Sequence, residues 1–534
     1  NSFWSKYERM TGILMMFHLF AFFLVISSTF EKEDWQKIFN ISIFVGVIIS
    51  FIALTSKNPT MRGGATIGND SFLGTYLLFN LFLALYLIIT SKEGLRTYSS
   101  ICFSIIFLAL LLSGARAAKF SFLGGLILLF FFWLIFYQKG KLRLVGISLF
   151  TLSLLVVQTF GGRFVVWQKA WENFLERPLF GWGPENFGFA FSKNYNSCLG
   201  APPCGSDIWY DRAHNIIFDT LVTSGIFGML AYFGIFISTF YLLWKNYFQK
   251  NLDFWIPGIF TVLLISYSIQ NLTVFDMVSS YMMFFLILGF FASFSFKTEE
   301  NVILERKPPH FLIGIILLIL FIFSFSKFII KPALTDYYVI SVIKSPLASE
   351  KRLNYYKKAL ETSPLGKYQI RDFFGEITLE DIQSEKIKEV SPENFKKEID
   401  FIINELEKTT KECPIDFRSH LTLGKLYNIY AIFLDPSKIL LASQILENAI
   451  ELSPANQQGY WALAQTRLLE NKPQEALLLV EKSIALAPAL KQSHIIIINI
   501  AKAIGDYDLA KKKIEEALKI DPSWEPELKN ILGG

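Results

Sequence analysis

The chain has 534 residues, of which 52% are hydrophobic and only 18% charged, with 54 Phe and a formal net charge of +5. That apolar content sets it apart from an ordinary soluble domain. So small a basic excess over this length offers no footing for nucleic acid.

The apolar residues are not evenly spread. Residues 1–330 are built from apolar runs long enough to cross a hydrocarbon core as single helices, whereas 331–534 read as a soluble protein. The expected fold is therefore all-α, with a multi-pass membrane domain over 1–330 and a soluble helical domain over 331–534. Since the chain begins at Asn1 without a signal peptide, further residues are expected upstream and the spans counted here are a minimum.

Candidate spans fall at 11–30, 37–56, 71–90, 100–116, 118–137, 142–160, 214–244, 253–272, 276–296 and 310–330. If they alternate, the basic connections at Lys92–Arg96, Lys139–Arg143, Lys245–Lys250 and Lys297–Lys307 share one side, which the positive-inside rule makes cytoplasmic. The N-terminus, residues 57–70, the hairpin at Arg116, a long loop over 161–213 and the C-terminal domain then lie outside. The stretch 214–244 is too long for one simple crossing. It divides into a short interfacial segment up to about Gly225 and a span from Ile226.

The C-terminal domain carries an internal repeat. Pro454, Pro488 and Pro522 stand 34 residues apart, as do Ala449, Ser483 and Ala517. That period is the tetratricopeptide signature, two antiparallel helices per unit. The repeats are clearest over 439–534, with a turn at Gly505-Asp506-Tyr507, and Ala359-Leu360…Pro364 marks an earlier divergent unit. Residues 378–415 look charged and irregular. Such solenoids bind partners or act as spacers.

The long loop is the most informative segment. It carries Gly162-Arg163…Trp167…Ala170…Pro178-Leu179-Phe180-Gly181-Trp182-Gly183…Phe187, then Arg212-Ala213-His214-Asn215…Gly225…Gly228. This string resembles the O-antigen ligase and polymerase superfamily. Upstream, Trp4…Glu8-Arg9…Gly12, Arg62…Gly68-Asn69 and Ser113-Gly114-Ala115-Arg116 are similar to further stretches of that family, although Gly-Ala here separates its Ser and Arg. The insertion 194–209 matches no part of it.

The resemblance implies a GT-C-like membrane fold in a bacterial inner membrane. It also implies a glycosyltransferase that uses neither metal nor cofactor on the extracytoplasmic face. The donor would be a glycan on polyprenyl diphosphate. The acceptor would be lipid A–core in lipopolysaccharide biosynthesis, another glycan chain as in a polymerase, or a protein hydroxyl. A membrane transporter or scaffold is the alternative outside that family, with the repeats gathering a protein partner.

Breaking a sugar–diphosphate bond needs fixed positive charge, and arginine pairs bidentately with phosphate. Arg163 and Arg116 are the expected diphosphate ligands, or else anchors to lipid headgroups. An acceptor hydroxyl gains from a base, and His214, one of five histidines, has an ordinary pKa of about 6.5 that suits the task. Arg212, Asn215 and Arg62 are expected to bind substrate, although Arg212 could simply pair with Asp211. Trp167 and Trp171, four apart on one helix face, suit either the membrane interface or stacking on sugar rings. Asp276 either orients His214 or an acceptor sugar, or is a solvated turn residue. Cys198 and Cys204 could close a small disulfide loop worth about 2 kcal/mol.

Overall fold

The structure is a computed structural model that describes residues 3–4, 11–55, 64–137, 163–202, 204–205, 207–296, 311–384 and 390–533. Its described elements are helices and the turns between them. The expected span 142–160, the basic connections at 139–143 and 297–307, and Arg62 and Gly162 lie outside the described residues.

The membrane bundle is made of α1 (Ile13–Thr29), α2 (Lys32–Thr55), α3 (Asp70–Thr90), α4 (Glu93–Leu112) and α5 (Arg116–Phe132). After the loop come α8 (Ile216–Phe248), α9 (Trp255–Gln270) and α10 (Val278–Phe296). Six described helices are long and apolar enough to cross a membrane, and α1, α9 and α10 are apolar but shorter. The chain is a multi-pass membrane protein.

Helix α3 runs through the middle of the bundle, packed against α2, α4, α5 and α9, with Leu77, Phe79 and Phe82 wholly buried. A polar side chain at that depth must find partners. Asn80 does so, donating to the Tyr76 carbonyl and accepting from Ser42 Oγ at 2.7 Å. Around it the aromatic excess is used for ring packing, as where Phe39 meets Phe290 edge-on at 5.0 Å.

Helix α8 breaks where the sequence said it would. Gly225 sits at φ 65°, ψ −165°, inside what is otherwise one long helix. The break is held by the Pro178–Gly183 segment: Trp182 and Gly183 donate to the carbonyls of Val222 and Thr223, and Ile226 donates back to Pro178. A Cβ on Gly181 would stand 2.5 Å from the Val222 carbonyl oxygen. The glycines of the loop motif are thus what let two backbones meet.

Between the spans, the loop forms α6 (Arg163–Glu176) and α7 (Phe187–Lys193) around its own core of Val166, Ala170, Phe187, Phe191 and Leu199.

The last apolar helix does not stop at 330. Helix α11 (Phe311–Phe325) passes through a π turn at Ser326–Ile330 into α12 (Lys331–Ile343). The wide turn precedes Pro332 and makes room for a ring that would otherwise strike the carbonyl one turn back.

The soluble part then stacks α13 (Glu350–Thr362), α14 (Lys367–Gln383), α15 (Pro392–Glu412), α16 (Phe417–Phe433), α17 (Ile439–Leu452), α18 (Gln457–Leu469), α19 (Pro473–Leu486), α20 (Lys491–Ala503), α21 (Tyr507–Ile520) and α22 (Glu525–Gly533). Helices pair in sequence, α16 with α17, α18 with α19, α20 with α21. Ala449, Ser483 and Ala517 are fully buried in the second helix of each pair, which explains why small residues recur there.

Much of the stretch expected to be irregular is helical. Over 392–412, Phe395, Ile399, Ile402, Ile403 and Leu406 form one buried stripe along α15, which the many charges on its other face obscure.

The repeats dock on the loop through two successive inter-pair turns. Ser453 Oγ donates to the Ser192 carbonyl at 2.6 Å, Gln457 to that of Ser197, and Ser197 Oγ to that of Leu486. Loop, repeats and the turn 271–277 therefore share one end of the bundle.

Candidate active site

His214 stands between two clamped neighbours. On its N-terminal side, Ala213 is fully buried; its N–H donates to Asp219 Oδ1 at 3.2 Å and its carbonyl accepts the Trp167 indole N–H at 3.0 Å. On its C-terminal side, Asn215 caps α8 by accepting the N–H groups of Ile217 and Phe218, and donates to the Leu272 carbonyl. His214 itself sits at φ 50°. A non-glycine residue in that region costs about 1–3 kcal/mol and persists only where its surroundings over-determine it. The clamps do so, and they aim the imidazole. Its ring stacks on Phe275 at 5.1 Å and meets Tyr210 edge-on at 6.0 Å.

Arg212 turns away from any open surface. It donates to Asp219 Oδ2 at 2.9 Å and to Thr11 Oγ1 at 2.7 Å, and it pairs with Glu185. Thr11 in turn donates to Glu185 at 2.6 Å. Burial opposes the guanidinium's charge, but Asp219 and Glu185 outweigh it and raise its pKa. Its close ion pairs are with these two carboxylates, and Asp211 adds to the attraction. A buried arginine so engaged fixes the segment before His214 rather than waiting for phosphate.

The other expected residues divide. Arg163 opens α6, exposed, and donates to the Thr273 carbonyl at 2.7 Å. It lies close enough to Tyr210 to oppose the rise that burial gives that phenol's pKa. Arg116 opens α5, also exposed, beside the Ser113–Ala115 turn, where Gly114 packs against Asp70. The start of α3 reaches the same end, with Phe72 edge-on to Phe275 at 5.2 Å.

Asp276 is buried, not solvated, and accepts from Tyr267, Asn271 and Ser280. It holds the turn that carries Phe275. Trp167 is buried against Phe218, whereas Trp171 is exposed. Arg62 is outside the described residues. Cys198 and Cys204 are free thiols, where a disulfide was expected. The turn at Ser197–Gly200 sets them side by side, and burial, then the Cys204 thiol, pushes Cys198 up to about 11.

Glu185, Asp219, Thr11 and Phe275 were not singled out from the sequence. Asp219 lies only seven residues beyond Arg212, near enough to suggest the pair. The others come from distant stretches, and nothing local marks them.

Residues 101–233 match a sequence-family model described as O-Antigen ligase. Among solved structures, the chain is similar to a thermophilic TPR protein of Thermus thermophilus, at 12% identity and TM-score 0.27 over 34% of this chain and 90% of that one. It is also similar to MamA protein, at 17% identity and TM-score 0.25 over 35% and 94%. Yeast Tom70 matches at 13% identity and TM-score 0.20 over 97% and 96%. No curated protein matches the chain. The stretch that matches the O-antigen ligase model, residues 101–233, holds Arg116, Arg163 and His214.

Proposed function

We propose that the chain transfers a glycan from polyprenyl diphosphate to an acceptor hydroxyl at the end of the bundle that carries His214, and that this end is extracytoplasmic. The family match over 101–233 carries the reading. The exposed guanidiniums of Arg163 and Arg116 would hold the diphosphate, their fixed charge stabilising the leaving group without a metal ion.

The acceptor oxygen attacks the anomeric carbon and forms the new C–O bond as the sugar–phosphate C–O bond breaks. The electron pair leaves on the diphosphate, and His214 takes the hydroxyl proton. Arg212, Glu185 and Asp219 act through His214, by fixing the backbone that presents it. In this reading, Trp171 and Asn215 border the substrates, and residues 1–330 form the catalytic domain while 331–534 serve recognition.

The test is transfer in membranes from a polyprenyl-diphosphate glycan, with wild type beside His214→Ala and Arg163→Ala. Lipid A–core, protein and a second lipid-linked glycan would be offered in parallel as acceptors. The expected result is transfer to one acceptor class that collapses in both variants at unchanged expression. Transfer undiminished in His214→Ala would refute the assigned base. No transfer to any acceptor would move the reading to a scaffold.

A further inference from the structure

A cavity of about 290 Å³ lies between the loop and the repeats, near the small end of ligand pockets. Glu185, Gly188, Phe189 and Trp209 line it from the loop, and Tyr368, Asp372 and Glu376 from α14 are among those that line it from the repeats. Arg418 ties the two sides together, its guanidinium 4.4 Å over the Trp209 ring and its N–H paired with Glu376. The wall is thus aromatic and rich in carboxylates, and two of those carboxylates are already taken: Glu185 by Arg212 and Glu376 by Arg418.

The remaining two, Asp372 and Asp416, converge on one hydroxyl. Ser419 Oγ stands 2.6 Å from an oxygen of each. A hydroxyl has one proton to give, so one of these contacts needs a proton from the carboxyl itself. The charges in reach of Asp372 are Asp416, Arg418 and Glu376, and Arg418 is engaged by Glu376. Asp372 is hemmed in by surrounding atoms yet keeps part of its surface open to the cavity. Burial, then Asp416, pushes its carboxyl up to about 8. Both carboxyls can ionise together only beside a further positive charge, and the aromatic walls suit a sugar ring or a cation.

We infer that this cavity is a substrate subsite for an amino sugar, whose ammonium sits between Asp372 and Asp416 while Phe189 and Tyr368 flank its ring. The assignment rests on the glycosyltransferase reading, which makes a glycan the ligand at this end of the molecule. A lysine-bearing peptide offers the same ammonium and is the competing outcome.

The experiment is titration calorimetry on the full chain in lipid nanodiscs, with a glucosamine tetramer, an N-acetylglucosamine tetramer and tetralysine as probes. The glucosamine tetramer should bind at least about tenfold more tightly than either of the others, one step of 1.4 kcal/mol. The double variant Asp372→Asn, Asp416→Asn should remove that preference, since Asn caps a helix as well as Asp and preserves the turn. Tyr368→Ala, which leaves both carboxylates in place, should weaken the glucosamine tetramer and leave the unfolding midpoint unchanged.

Equal binding of the two tetramers, no binding of the glucosamine tetramer, or a preference that survives the double variant would overturn the proposal. Tighter binding of tetralysine would assign the cavity to a protein instead. His214→Ala separates the two readings: it should abolish transfer and leave tetramer binding as it was.

Discussion

Two regions of this molecule bury an arginine between two carboxylates, and they use it differently. In the soluble part, Arg352 is 1% exposed and reaches Asp381 and Glu398, with Tyr356 and Thr378 completing its hydrogen bonds. The three side chains come from three helices, which the knot holds together, and Glu398 also accepts the N–H of Ala348, which stands at positive φ. At the end of the bundle, Arg212 reaches Glu185 and Asp219 in much the same way, but Glu185 and His214 beside it both have positive φ. One knot joins helices; the other holds a strained backbone that aims a histidine. The motif of charges is shared and strained backbone adjoins both; what sets the second apart is that a strained residue beside it is a histidine, whose ring can take a proton.

The largest expected effect comes from removing what the second knot holds. His214→Gly keeps the backbone conformation without its cost, because glycine adopts positive φ freely. Transfer should fall by about 10²–10⁴-fold, while the thermal midpoint holds or rises. A lower midpoint with full activity would mean that the histidine serves packing alone.

Next come the knots themselves. Arg352→Met and Arg212→Met each strand two buried carboxylates, which costs about 3–5 kcal/mol. Chemical denaturation of the two variants should give losses of similar size. Their activities should part: protein that remains folded transfers at the wild-type kcat in Arg352→Met and far below it in Arg212→Met. Equal kcat in the two would erase the distinction drawn here.

What could be read from the chain followed the range of the interactions. The 34-residue recurrence of Pro454, Pro488 and Pro522 is a local rule repeated, so the paired helices were legible. Gly225 marked its own break in α8, because a glycine inside an apolar run needs a reason. His214 and Asn215 lie next to each other, and the cap that holds one presents the other. Two partners of Arg212 were not legible, since Thr11 is 201 residues away and Glu185 is 27. Nor was the seating of Ser453 and Leu486 on the loop, which depends on two turns of a solenoid meeting a segment far upstream. Asp276 was misread for the same reason: a carboxylate in a turn looks solvated until the side chains that bury it are known.

The cavity between loop and repeats offers a pH test. A carboxyl whose native pKa is raised keeps its proton where the unfolded chain, near 3.9, has lost it. Stability therefore declines as pH rises from about 4 towards the native value of about 8 for Asp372. Asp372→Asn should match wild type at pH near 4 and exceed it at pH near 8.5, seen as a midpoint higher by about 2–4 °C for each kcal/mol relieved. Parallel pH profiles would show that Asp372 ionises without penalty.

The smallest effect probes how rigidly His214 must be held. The Trp167 indole donates to the carbonyl of Ala213 while its ring stacks on Phe218 at 5.7 Å. Trp167→Phe keeps an aromatic face and deletes the hydrogen bond, a loss of about 0.5–1.5 kcal/mol. Asp219 still holds the Ala213 N–H from the other side, so the strained turn should survive with more freedom. Transfer should then fall by less than about tenfold, because one clamp of two has gone and the base is intact. A loss as large as that of His214→Gly would make the indole a contact to substrate rather than a support, and would shift the site toward α6.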